Sequence, residues 1–305
     1  MSGIVGLAAL AGGVVLVILA ADLLVDGLLG VGRALRIAPF VLTVVLSGFE
    51  TENLAAGIAA NTRGLPGAAA GTFLGGVTFL AFAVAGLGGL IAPMRVELPP
   101  RFALWVAAAP LPLLVLAVDG DLSRLEGAVL VGWWAVSLVG LAVSGRDLLA
   151  DEDAERVRRP GLRLIAGLAV LTGGGWLLGE GLRSTVRHLG ISQTLLGNTA
   201  VAASVEAEEV ARVAVPARRG RPELALGTIG GTIVHFAALN AGVIALVKPL
   251  QLDHDTTHFY LPTAAVSPAI LAGVLLVRKR LGRVEGAALL ALYVAYVAVA
   301  VVIST

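Results

Sequence analysis

The stretch "ETENLAAGIAANTRGLPGAAAGTFLGG" at 50–76 falls without a gap on "EAEEVARVAVPARRGRPELALGTIGGT" at 206–232, a shift of 156 residues. Between positions 48 and 76, ten of 29 residues are identical. They are Glu50/Glu206, Glu52/Glu208, Ala55/Ala211, Arg63/Arg219, Gly64/Gly220, Pro66/Pro222, Ala69/Ala225, Gly71/Gly227, Thr72/Thr228 and Gly75/Gly231. A chain this rich in Ala and Gly gives roughly three by chance, so the two halves are related. A weaker echo, shifted by 154, sets "LLVDGL" (23–28) over "LLGEGL" (177–182).

The surrounding sequence is oily. Of 305 residues 57% are hydrophobic and 14% charged, against roughly 25% charged in soluble domains. The mean hydropathy is +0.92. Apolar runs of about 20 residues match the thickness of a hydrocarbon core. Ten spans are expected, near 3–30, 38–61, 67–92, 102–118, 124–144, 161–186, 191–216, 223–247, 259–277 and 284–303. The first, second, sixth and seventh are longer than a bilayer needs, which implies tilt or breaks. "MSGIVGLAAL" lacks a basic leader segment, so residues 3–21 read as part of a first span. The absence of cysteine removes disulfides and thiolate ligands. No nucleophile–base pair, phosphate loop or zinc motif points to an enzyme, and nothing points to nucleic acid.

The polar segment 144–160 divides the spans five and five. The domains are therefore a first repeat at 1–143, a linker at 144–160 and a second repeat at 161–305. Loops after odd-numbered spans carry 17 of the 22 Lys and Arg residues, and loops after even-numbered spans carry 5. By the positive-inside rule, the odd loops and the linker face the cytoplasm and both termini face outward. Five spans separate Glu50 from Glu206, so the second half enters the membrane the other way up. Inverted repeats of this kind build secondary transporters with ion sites near the midplane.

The acids carry the chemistry. Glu50 and Asn53 lie three apart, as do Glu206 and Glu209, so each pair shares a face of a regular helix. Glu52 and Glu208 point away from that face. An isolated carboxylate at a bilayer centre costs at least ~2–3 kcal/mol, so several together need a partner, a proton or a cation. Carboxylate, amide and hydroxyl oxygens suit hard cations such as calcium. The bland reading pairs Glu209 with Arg212 and sets Glu52 and Glu208 near an interface. "GTFLGG" (71–76) and "GTIGGT" (227–232) each carry Gly-xxx-Gly, a close-packing pattern. Packing accounts for Gly71 and Gly75 on this reading. His235 stands alone in span 8 and is expected to satisfy a local hydrogen bond. "DHDTTH" (253–258) has metal-binding spacing but reads as a solvated external turn. Asp26 and Glu180 match across the repeat and, with Asp22, suggest an ion pair or a vestibule.

These residues resemble the sodium/calcium exchanger (cation/calcium antiporter) superfamily. "ADLLVDGLLGVGRALRIAP" (21–39) is similar to the family's first span. "GISQTLLGNTAVAASVEAEEVA" (190–211) is similar to its GISPxxxGxTxxAxGTSxPELA motif, which places Glu209 on the motif glutamate. "RRGRPELALGTIGG" (218–231) continues the same register. In the first half that register puts Gly48 on the motif glycine and Asn53 on the glutamate; a one-residue slip makes Glu52 the counterpart. Glu50 and Glu206 replace motif serines, Glu52 and Glu208 replace prolines, and the polar positions one turn beyond fall on Leu80 and Phe236. The resemblance implies an all-α membrane protein of ten helices in two inverted five-helix repeats, with α-repeats at 38–92 and 191–248. It implies a monomeric antiporter of the cell (inner) membrane, moving calcium against sodium or protons by alternating access, with no cofactor. The implied site is Glu50, Asn53, Glu206 and Glu209, with Glu52, Glu208 and Thr232 as further ligands. A cation channel, or a non-transporting membrane protein that kept the fold and lost the site, are the alternatives.

Overall fold

The computed structural model describes residues 3–47, 51–95, 98–145, 157–188 and 207–303. Its described elements are helices, apart from two two-residue strand pairs. Seven helices are long and apolar enough to cross a membrane by length and composition. The chain divides into two compact units, 1–39 with 149–221 and 40–148 with 222–305.

The first unit is built on α1 (Gly3–Leu35), α7 (Pro160–His188) and α8 (Ala207–Arg218). The 33 residues of α1 span about 50 Å at ~1.5 Å per residue, well beyond a ~30 Å hydrocarbon core, as the long apolar run foretold. α1 and α7 run antiparallel with their glycines at the contact. A Cβ on Gly167 would come 2.8 Å from the Leu24 nitrogen, one on Gly27 2.5 Å from Leu164 backbone, and one on Gly174 3.1 Å from the Val17 nitrogen. Helices approach this closely only where side chains are absent, which replaces the missing hydrophobic drive between helices in lipid. Charge binds one end of the bundle. Asp26 accepts from Arg163 and from Arg219, both at 2.6 Å, and Asp22 lies 3.6 Å from Arg219. Asp26 is thus an ion-pair residue joining α1, α7 and the turn that follows α8, and its partners are arginines.

The second unit holds α2 (Pro39–Leu46), α3 (Thr51–Thr62), α4 (Pro66–Ile91), α5 (Pro100–Leu116), α6 (Arg124–Ser144), α9 (Pro222–Val247), α10 (Thr256–Arg278) and α11 (Arg283–Ile303). In the expected span 38–61, α2 ends at Leu46 with Ser47 in a turn, and helix α3 is described from Thr51; in the fourth expected span, α5 is broken between Ala108 and Leu111, where Pro110 withholds a backbone donor. Large rings fill the core: Phe40, Phe73, Phe102 and Phe236 are all buried, and Phe40 meets Phe102 edge-on at 5.6 Å. α4 and α9 are mostly buried, whereas α11 turns most of its apolar surface outward, as a helix facing lipid does.

Within this unit the contacts come in exchanged pairs. Strand β1 (Met94–Arg95) pairs with β4 (Arg280–Leu281), and β2 (Asp121–Leu122) with β3 (Leu250–Gln251). A Cβ on Gly86 would come 2.9 Å from the Gly286 carbonyl, and one on Gly286 2.5 Å from the Gly86 carbonyl. Gly127 and Gly242 stand in the same mutual relation, at 2.7 Å each way. Gly242 lies 156 residues after Gly86, and Gly286 lies 159 after Gly127. A second internal repeat underlies these contacts, "LSRLEGAVL" (122–130) over "LGRVEGAAL" (281–289), six of nine identical. Its glutamates cap their own helices: Glu126 accepts from the Ser123 amide at 2.7 Å and Glu285 from the Gly282 amide at 3.2 Å. Two π-helical turns complete the correspondence, Leu80–Val84 in α4 and His235–Asn240 in α9.

Candidate functional site

The two acidic stretches close on the same local structure at their C-terminal ends. Gly64 and Gly220 adopt φ of 78° and 73°, a region open to glycine at little cost. The Gly64 amide donates to Asn61 O and the Leu65 amide to Ala60 O; the Gly220 amide donates to Ala217 O and the Arg221 amide to Pro216 O. Both are Schellman caps, followed by a proline that opens the next helix. Repeated sequence has given repeated structure at both ends where it is described.

In the second unit, α2 ends at Leu46 and the described part of the acidic stretch opens α3. Ser47, which the sequence reading passed over, is 2% exposed at the end of α2, and its carbonyl accepts from the Thr232 hydroxyl of α9 at 3.2 Å. Thr232 is fully buried, so this polar contact forms where water is scarce. A Cβ on Gly231 would come 2.6 Å from the Val44 carbonyl, so only glycine lets α9 approach α2 this closely. Asn53 is half-buried in the first turn of α3. Glu52 belongs to the same turn. The unit therefore brings Ser47 and Thr232 into contact, close in sequence to Asn53. Glu50, Glu206 and Gly48 lie outside the described residues.

Glu209 and Arg212 form a buried ion pair in the first unit, their side chains 1% and 6% exposed. The pairing foreseen as the bland alternative is thus the described state of the motif glutamate. The Glu208 carboxylate lies against Gly175 of α7, where a Cβ would come within 2.7 Å of its Oε2. Glu180 is half-buried.

The glycine expectation is half right. Gly227 and Gly231 abut Phe40, Val44 and Ser47, but no described atom comes within 4 Å of a Cβ on Gly71 or Gly75. In α4 the close approach falls one residue on, at Gly76 against the Phe236 ring at 2.9 Å. His235 does satisfy a local bond, Nδ1 to Gly231 O at 2.8 Å, and its ring meets Trp134 edge-on at 5.5 Å. At the far end of α9, Asn61 Nδ2 donates to Lys248 O at 2.6 Å while Lys248 Nζ donates back to Asn61 O at 3.0 Å.

Known proteins resemble this chain over most of its length. The profile of the family described as sodium/calcium exchanger protein matches residues 5–143 and 161–302. CaxA of Alkalimonas amylolytica, a protein named as an antiporter, is 29% identical over 303 residues, covering 93% of this chain and 95% of its own. The inner membrane protein YrbG of Escherichia coli (strain K12) is 27% identical over 263 residues, covering 79% of each. The solved sodium-calcium exchanger NCX_Mj superposes with a TM-score of 0.82 at 22% identity, over 97% of this chain and 98% of that one, which is a likeness of fold.

Proposed function

The chain belongs to the sodium/calcium exchanger protein family, and on that premise we propose that it is a secondary-active cation antiporter moving calcium against sodium or protons by alternating access. The observation that carries this reading is the buried hydroxyl of Thr232 bonded to the carbonyl of Ser47, where α2 ends just ahead of the acidic stretch in sequence. Broken helices expose carbonyl oxygens at membrane depth, and in transporters such oxygens hold cations. On this proposal Glu50, Asn53, Glu206 and Glu209 bind the cation, with Thr232, Glu52 and Glu208 contributing. Carboxylates and carbonyls form an oxygen-only set suited to calcium. The cations are cargo, and no resident cofactor is needed. The extra acids in spans 2 and 7 are candidates for proton loading in place of sodium.

The finer architecture belongs to the same proposal: ten spans in two inverted five-helix repeats, acting as a monomer in the cell (inner) membrane with both termini outside. The exchanged pairs support it. A two-fold relation that swaps β1 with β3 and β2 with β4 maps each strand pair onto the other, and it maps Gly86/Gly286 onto Gly242/Gly127.

The test is calcium uptake into proteoliposomes under an imposed sodium gradient, compared with an imposed proton gradient. Uptake driven by either, and abolished by both Glu50→Gln and Glu206→Gln, is the expected result. Uptake without any counter-ion gradient makes the protein a channel. The buried Glu209–Arg212 pair favours a second reading, a relative whose cation site is already neutralised by its own guanidinium. That version transports no calcium under any gradient and gains no thermal stability from it.

A further inference from the structure

The connection from α10 into α11 reads "VRKRLGRVEG" (277–286), and its repeat counterpart 159 residues earlier reads "VDGDLSRLEG" (118–127). Arg278, Lys279 and Arg280 thus occupy the positions of Asp119, Gly120 and Asp121. Both segments build the same structure, a two-residue strand followed by a helix capped by its own glutamate. Neither the strand pair nor the cap therefore requires the three cations.

Strand pairing concentrates them. Arg95 of β1 stands directly opposite Arg280 of β4, whereas the matching positions of the other pair hold Gln251 and Asp121. Like charges directly opposite each other in a strand pair are destabilising, and an anion placed between them removes the repulsion. Glu285 answers only part of the charge. It is buried and accepts from the Nε of both Arg278 and Arg280 at 3.0 Å, so each guanidinium keeps its Nη donors. Arg95, Lys279 and Arg283 are exposed, and among the described residues no acid pairs with them. Glu97 follows β1 in sequence and lies outside the described residues.

The apolar neighbours of these cations identify the anion's source. Val277, beside Arg278, is 80% exposed, Val284, beside Arg283, is 71% exposed, and Ile91 at the end of α4 is 40% exposed. α4 and α10 end here and α11 begins here, and each has the length and composition of a membrane span. Cations beside exposed aliphatic side chains at the ends of spans suit the boundary where phosphates meet acyl chains. A soluble anion makes no use of the valines. Orienting the chain asks only for positive charge somewhere in a cytoplasmic loop, not for arginines opposed across a strand pair.

We propose that Arg95, Arg278, Lys279, Arg280 and Arg283 form a binding site for the phosphate headgroup of an anionic phospholipid, with Val277 and Val284 against its acyl chains. Arginine suits this role because its planar fork donates paired hydrogen bonds to phosphate oxygens. The inference rests on α4, α10 and α11 spanning the membrane, and it is independent of which cation is transported.

The experiment incubates the full-length protein in detergent with equal amounts of phosphatidylglycerol and phosphatidylcholine and counts retained lipid by native mass spectrometry. Wild type is expected to retain phosphatidylglycerol in preference. Each basic side chain near an anionic headgroup is worth about fivefold in affinity, so Arg95→Gln and Arg283→Gln are each expected to lower that preference about fivefold. Both residues are exposed, and an unchanged thermal midpoint shows that both variants fold. Arg36→Gln, which removes an exposed cation of the other unit, is expected to change nothing. Equal retention of the two lipids by wild type overturns the proposal. Equal weakening by Arg36→Gln overturns it in favour of diffuse surface charge, and displacement of the lipid by equimolar glycerol phosphate overturns it in favour of a soluble anion. Retention is read without any ion gradient, so failure of the antiporter reading leaves this result standing.

Discussion

At the scale of single residues, the ion pair between Glu209 and Arg212 decides most. Two buried charges offset each other only while both are present, and removing one strands the other in a medium of low dielectric. Arg212→Leu is therefore expected to destabilise the protein by about 3–5 kcal/mol, read as a lowered thermal midpoint in detergent. The double variant Glu209→Gln/Arg212→Gln is expected to recover most of that loss, because no unpaired charge remains. A single variant as stable as wild type would mean that water reaches the pair. The pair was legible in the sequence, because three-residue spacing on a helix puts both side chains on one face. Whether Glu209 serves a cation or its own arginine was not legible, because spacing gives adjacency and says nothing of competition between partners. Ser47 escaped notice for another reason. It contributes to the Thr232 contact through its backbone carbonyl, and sequence patterns do not report carbonyls freed at a helix end.

At the scale of elements, glycine contacts separate packing from mere composition. Gly127 meets the backbone of Gly242 and Gly286 that of Gly86, and a backbone carbonyl cannot swing aside as a side-chain tip can. Gly127→Ala and Gly286→Ala are each expected to cost about 1–3 kcal/mol through forced separation of helices, read by thermal unfolding. Gly71→Ala and Gly75→Ala meet no described atom within 4 Å and replace a poor helix former with the best. They are expected to be neutral or stabilising by up to ~1 kcal/mol. The Gly-xxx-Gly pattern around the acidic repeat pointed to the first α-repeat glycines and missed these. The better signal was "LSRLEGAVL" over "LGRVEGAAL", where a capping glutamate and a contact glycine recur together. The helix interruption after Leu46 was only half foreseen. Excess length suggested a break, but the motif prolines that would have located it are Glu52 and Glu208 here, so propensity alone could not place it.

At the scale of the whole molecule, the strand pairs bear directly on topology. β1 follows the third expected span and β4 precedes the tenth, so their pairing requires those two loops to share a side of the membrane. β2 and β3, in the loops after the fourth and eighth spans, must likewise share a side. On the proposed ten-span topology even numbers of crossings separate the members of each pair, and the positive-inside rule then sets the first pair in the cytoplasm. The chain contains no cysteine, so single cysteines can be introduced without background. Asp119→Cys and Asp255→Cys are expected to react with a membrane-impermeant maleimide added to intact cells. Arg95→Cys and Arg280→Cys are expected to react only after the membrane is opened, even though all four positions are exposed on the protein surface. Labelling of Arg95→Cys in intact cells would reverse the orientation. Labelling of Asp119→Cys but not Asp255→Cys would break the parity on which the inverted repeat rests. On the proposed function, inversion matters because two halves of similar sequence and opposite orientation can exchange conformations at little cost. In that proposal the site opens to one side or the other while its ligands stay within reach of the same cation.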